Sequence, residues 1–199
     1  MPRVSELNAE DIAEDAREIY HRFITEYGPF ENQVKIFAHR PPALKHIMGL
    51  LLELAQEEML PKRYLEIAVV VVSKLNECTY CVAHHAPRMI SQGFDPAAAD
   101  HILDDRVPGF DEIDMLVRDY AVQVTEKPQY MRDSIFEELR RHFDEAQIVE
   151  LTLRIALCGF FNRFNDALQV GMENGVIGDM LAKGASLETL PEHDTEAGG

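Results

Sequence analysis

The sequence has no tryptophan, only three cysteines, and 19 basic residues set against 35 acidic ones. Each shortage excludes something. Three cysteines cannot form a closed set of disulfides, so a small scaffold stapled by disulfides is ruled out. The scarcity of bases leaves a formal net charge of −16, which argues against sequence-independent nucleic-acid binding and disfavours docking on anionic lipid. Long apolar runs are also missing: Ile67 to Val72 is six residues, against about 20 for a membrane-spanning helix. The opening Met1-Pro2-Arg3, followed by Glu6, Glu10 and Asp11, lacks the basic and apolar sections of a signal peptide. The expectation is a cytoplasmic protein with neither nucleic acid nor membrane as partner. In that reducing setting a close cysteine pair more often serves redox or metal chemistry than a structural staple.

What is present is enough apolar material for a core, laid out with a helical rhythm. The chain has 199 residues, 46% of them hydrophobic, and a compact chain of this length removes roughly 70% of its unfolded surface from water. One all-α domain is expected over residues 1–185, followed by a polar, disordered tail over 186–199. Helical spacing runs from an Asn8 cap through Ile12, Ala16, Tyr20, Phe23 and Tyr27 to Gly28-Pro29, and again from Leu44 to Ala55. Val69 to Val72 would suit a strand by propensity, but the length of Arg63 to Leu75 and its lack of turn residues favour a buried helix. Asn76 is the expected cap of the next helix, which Pro87 should kink or end early and Gly93 closes. Helices over Pro96–Leu103, Ile113–Thr125 capped by Asp111, Met131–Phe143 and Glu145–Val170 complete the reading.

Two parts of the chain resemble each other. Leu65-Glu66-Ile67-Ala68-Val69 returns 84 positions later as Val149-Glu150-Leu151-Thr152-Leu153, and on the same offset Val71 meets Ile155, Tyr80 meets Phe164 and Ala83 meets Ala167. Cys78, Cys81 and His85 meet Asn162, Asn165 and Gln169. The expectation is a duplicated helix pair, with a first copy near 61–92 and a degenerate second copy near 145–170 that has lost the reactive side chains.

The chemistry-bearing residues are Glu66, Cys78, Cys81 and His85. Cys78 and Cys81 are three apart, and Cys81 and His85 four apart, which puts all three on one helical face. Two thiols one turn apart can close an internal disulfide, as a reversible redox centre requires. A helix start near Asn76 would favour the thiolate form. His85 titrates near neutrality and can pass a proton either way, and Glu66 can orient the imidazole or act as base through a water. A carboxylate in so apolar a segment is costly unless paired, and a salt bridge to Arg63 would equally account for it. His84 competes with His85 for the relay, His85 being preferred. Cys78, Cys81 and a histidine could instead bind zinc, although four ligands within eight residues of one helix would be strained. Cys158 reads as a small buried hydrophobe.

Glu66, Cys78, Cys81 and His85 stand at the spacing Glu, eleven residues, Cys, two, Cys, three, His, within the text Asn76-Glu77-Cys78-Thr79-Tyr80-Cys81-Val82-Ala83-His84-His85. In this the chain resembles the carboxymuconolactone decarboxylase-like family, in particular its alkyl hydroperoxidase D branch. The later Ile148-Val149-Glu150-Leu151-Thr152 and Phe161-Asn162-Arg163-Phe164-Asn165 are similar to its two-copy, peroxidase-related subgroup. The resemblance implies an all-α helical bundle of alkyl hydroperoxidase D type that assembles into trimers or hexamers. It implies a cysteine-based peroxidase that needs no cofactor, is reduced by an external thiol of lipoyl or thioredoxin type, and takes a hydroperoxide as substrate. Cys81 would attack the peroxide, Cys78 would resolve, and Glu66 with His85 would relay the proton. The helix dipole taken alone points to Cys78 as the more acidic thiol. The position between the cysteines, often His in that branch, is Tyr80, so the dithiol could serve disulfide reduction instead. A zinc-binding protein and a non-catalytic oligomer of the same fold are the alternatives from other classes.

Overall fold

The computed structural model describes residues 2–191, and among them the chain is helical with no strand. Those residues form two compact units, 2–59 with 165–176, and 60–164 with 177–191; the last eight positions of the expected tail lie outside the described residues. The single domain expected over 1–185 carries no such division.

The first unit holds α1 (Glu14–Arg22), which passes into a π-helical turn Phe23–Tyr27, then α2 (Glu31–Phe37), α3 (Pro41–Ala43), a π-helical turn Leu44–Met48 and α4 (Gly49–Glu57). The expected first helix starts later than Asn8, because Ile12 and Ala13 are extended and only a short 3-10 turn precedes them. Gly28, at φ +144°, ends the π turn where only glycine is comfortable. Phe23 stacks on Tyr27 at 4.5 Å and meets Phe30 edge-on, and Gln33 Nε2 donates to the buried Asn165 Oδ1 at 2.8 Å.

The second unit runs through α5 (Lys62–Leu75), α6 (Thr79–Ser91), α7 (Pro96–Asp100), α8 (Glu112–Glu126), α9 (Asp133–His142), α10 (Glu145–Leu168, whose last turn belongs to the first unit) and α11 (Val176–Ala182). The valine run of α5 is buried from Val69 to Val72 at the centre of this unit's core, with Val82, Met89, Tyr120, Leu139, Leu151 and Ile155. A helix segment buried on all sides, as residues 66–73 are, tolerates β-branched residues because packing outweighs their small propensity penalty. Asp111 accepts from the Ile113 and Asp114 amides while the Asp114 carboxylate accepts from the Asp111 amide, a complete capping box for α8.

Two further expectations are corrected. Residues 186–191, read as tail, carry a 3-10 turn Leu187–Thr189, and the Thr189 hydroxyl is buried against Asp100. The segment that aligns with the first copy is one continuous helix, as the reading of Glu145–Val170 as a single helix expects and the reading as a duplicated helix pair does not, because Phe160 and Phe161 stand where Asn76 and Glu77 end α5. Phenylalanines carry no signal to leave a helix, whereas Glu77 sits in the left-handed region at φ +56°.

Candidate active site

The turn between α5 and α6 determines where the thiols lie. The Cys78 amide donates to the Ser73 carbonyl at 2.9 Å and the Glu77 amide donates to the Lys74 carbonyl at 3.1 Å. With Glu77 left-handed, this is a Schellman motif that closes α5. Cys78 is its last residue and at the same time the N-cap of α6, in an extended conformation. The expected N-cap, Asn76, is instead the C-cap of α5, just after Leu75, with its amide bonded back to Val72. Cys81 follows in the first turn of α6, where peptide N–H groups lack helical partners and put partial positive charge beside the thiols. The helix then runs through Pro87 to Ser91 without the early end that proline suggests.

Glu66 and His85 meet across the helix pair. His85 Nδ1 lies 2.7 Å from Glu66 Oε2, and Glu66 is buried. In the neutral imidazole Nδ1–H donates to the carboxylate, which leaves the basic lone pair on Nε2. Burial pushes His85 below its ordinary value of 6.5; the charge and hydrogen bond of Glu66 oppose that shift, while Arg88 and His84 add to it. The alternative partner for Glu66 is engaged elsewhere: Arg63 makes a two-bond ion pair with the fully buried Asp114, one arm at 2.7 Å. His84 turns to its own helix, with Nδ1 at 2.6 Å from the Tyr80 carbonyl and its ring 4.2 Å from that of Tyr80.

Both thiols are buried, Cys78 completely and Cys81 with 5% exposed. All four residues of the expected site lie in the second unit, on or beside α5 and α6. Cys158 is apart from them in role. It lies 3.3 Å from Ser73 Oγ, and burial pushes its thiol up to about 12, as expected of a core residue. Among the described residues no three of His, Cys, Asp or Glu come together as a metal-binding group, so the zinc reading has no ligand set there. No described helix is long and apolar enough to cross a membrane.

Sequence reasoning missed the partners behind this turn. Asn76 Nδ2 donates to Asn162 Oδ1 at 2.9 Å, and Asn162 Nδ2 donates to Ser73 Oγ at 3.3 Å. A polar residue at position 162, inside an otherwise apolar stretch, was the available signal.

Residues 41–111 match the model of the carboxymuconolactone decarboxylase family. No curated protein matches the chain. The fold is similar to two crystal structures of uncharacterised peroxidase-related proteins, each at a TM-score of 0.72 and 20% identity. One, an alkylhydroperoxidase AhpD core from Ralstonia eutropha JMP134, covers 96% of this chain and 98% of its own. The other, from Silicibacter sp. TM1040, covers 89% and 94%. A variant of the debrominase Bmp8, in complex with 2,3,4-tribromopyrrole, matches at a TM-score of 0.71 and 18% identity over 90% of this chain and 96% of its own. At such identities the likeness is one of fold. The segment that matches this family's model, residues 41–111, is the one that carries Glu66, Cys78, Cys81 and His85.

Proposed function

We propose that this protein is a thiol-dependent oxidoreductase that reduces hydroperoxides through Cys78 and Cys81. The observation that carries the reading is the 2.7 Å hydrogen bond between buried Glu66 and His85, on the helix that begins at the thiols. A carboxylate-oriented, neutral imidazole one turn from Cys81 is suited to take the thiol proton and later deliver it to the leaving oxygen.

In this reading the Cys81 thiolate attacks the terminal peroxide oxygen, the O–O bond breaks, and the alkoxide takes the proton held by His85 and leaves as alcohol. Cys81 becomes a sulfenic acid. Cys78 then attacks the Cys81 sulfur, water departs, and the disulfide forms, so two thiols have given two electrons to the peroxide. An external dithiol of lipoyl or thioredoxin type restores the pair by exchange. The slightly greater exposure of Cys81 supports it as the first to react. Val149 and Phe160, 66% and 41% exposed on α10, support assembly into a homo-oligomer, trimer or hexamer.

The test is stopped-flow oxidation of the reduced protein by an organic hydroperoxide, with thiols counted before and after. We expect loss of two thiols per chain with Cys158 retained, and a trapped sulfenic acid on Cys81 in the Cys78→Ser variant. No stoichiometric loss of two thiols would end the peroxidase reading. A sulfenate on Cys78 in Cys81→Ser, with turnover kept, would reverse the two roles. A second reading, reductive removal of halogen from an aromatic ring by the same dithiol, is favoured by the fold shared with the debrominase. Halide release from a bromopyrrole by the reduced protein tests it.

A further inference from the structure

We infer that Asn162 is a positioning residue for Cys78, acting through Ser73 and Asn76 to hold the resolving thiol where it can close the disulfide. The inference rests on the dithiol reading above and names what holds one half of that site.

Cys78 is fixed by its backbone. Its amide is bound to the Ser73 carbonyl, and the turn between them is closed by Glu77 in a left-handed conformation. A non-glycine residue there is strained, so such a turn needs support from outside itself. Asn162 supplies it at both ends. Its Oδ1 accepts from Asn76, the residue where α5 ends, and its Nδ2 donates to the hydroxyl of Ser73, the residue whose carbonyl holds Cys78. Asn162 is fully buried, as is Ser73, so a lost bond would not be replaced by bulk water. Cys158 completes the group, 3.3 Å from Ser73 Oγ and 3.8 Å from Asn162 Oδ1.

Gly159 lies one turn before Asn162 on α10, beside Asn76. A Cβ at that position would lie 3.0 Å from Arg163 Nη1 and 3.9 Å from Asn76 Nδ2, and the Arg163 guanidinium donates to the Gly159 carbonyl at 2.7 Å. Position 162 is also the one that aligns with Cys78 in the second copy. The residue that aligns with Cys78 therefore contacts the turn that carries it.

Closing the disulfide requires the Cys78 sulfur to reach the Cys81 sulfur in line with the departing group, a step sensitive to small displacements. The first attack, by Cys81, depends on α6 and His85, which Asn162 does not contact in this network. Loss of the network should therefore slow closure selectively.

Diamide tests this without any peroxide. The Cys81 thiolate adds to its N=N bond; the Cys78 thiolate then displaces the nitrogen from the Cys81 sulfur, and the hydrazine leaves with the two thiol protons. Closure by diamide and alkylation of Cys81 by iodoacetamide, located by peptide mass, are measured on reduced full-length wild type, Asn162→Ala, Asn76→Ala and the double variant. We expect closure to slow about tenfold in each single variant, with little further loss in the double because both act through one chain of bonds. Cys81 alkylation should stay within about twofold of wild type. Closure at the wild-type rate overturns the inference, and so does equal slowing of alkylation, which would show general loosening. Should Asn162→Ala fail to fold, Asn76→Ala, at a half-buried position, decides alone. A protein indifferent to hydroperoxides would still answer, so this result is separate from the fate of the peroxidase reading.

Discussion

Glu66 and Glu150 occupy matching positions in two apolar helices, are equally buried, and have different partners. Glu66 reaches across to His85 on another helix, whereas Glu150 accepts from Arg154 one turn along its own, at 3.2 Å. The first carboxylate meets a group that changes charge near neutral pH; the second meets one that never does. The difference starts at the turn. Where Asn76 and Glu77 end α5, a second helix begins and brings an imidazole back beside the glutamate. Where Phe160 and Phe161 stand, the helix continues and nothing returns. A buried glutamate alone therefore says little about chemistry, and the helix break beside it says a good deal.

The comparison can be broken most severely at His85. His85→Gln keeps a hydrogen-bonding side chain but no titratable nitrogen, and we expect peroxide oxidation of the thiols to fall at least about 100-fold, read by stopped flow. A loss of less than about threefold would mean that the Glu66–His85 pair is as structural as its counterpart. Glu150→Ala makes the opposite demand. It leaves Arg154 buried without that carboxylate, and unfolding free energy should drop by about 3 kcal/mol, read by urea denaturation, with thiol oxidation unchanged. The smallest effect is one of pH. Because burial holds His85 below 6.5, the acid limb of the oxidation rate should fall below that value. Glu66 raises the imidazole towards its ordinary range, so Glu66→Gln should move the limb further to acid. A limb that moves to higher pH would contradict the pairing.

Much of this was readable in the residues. The three- and four-residue spacing of apolar positions located the helices, and Asp111 was legible as the cap of α8. Length settled the valine run of α5 as helix where propensity could not. That Cys81 and His85 share one helix was legible because spacing within a helix is a local property. What was missed is tertiary or conformational. Arg63 looked available to Glu66 until Asp114, 51 positions away, engaged it. The cap fell to Cys78 because Glu77 adopts a conformation that its own identity does not advertise. Thr189 looked like tail until Asp100 covered it. The alignment of 145–170 with 61–92 suggested a second pair although the spacing of 145–170 reads as one helix, since matched apolar positions report which face is buried and not whether a helix stops.

The turn that carries Cys78 has one more consequence, for exchange with solvent. The first amides of a helix ordinarily lack helical partners and trade their hydrogens quickly with water. The Cys78 amide is instead held by a carbonyl of the preceding helix, so its hydrogen can leave only when the end of that helix unravels. Deuterium uptake at this amide thus times the opening of α5 and the entrance of α6 as one event, and the cysteine doubles as a reporter of how often its own support lets go.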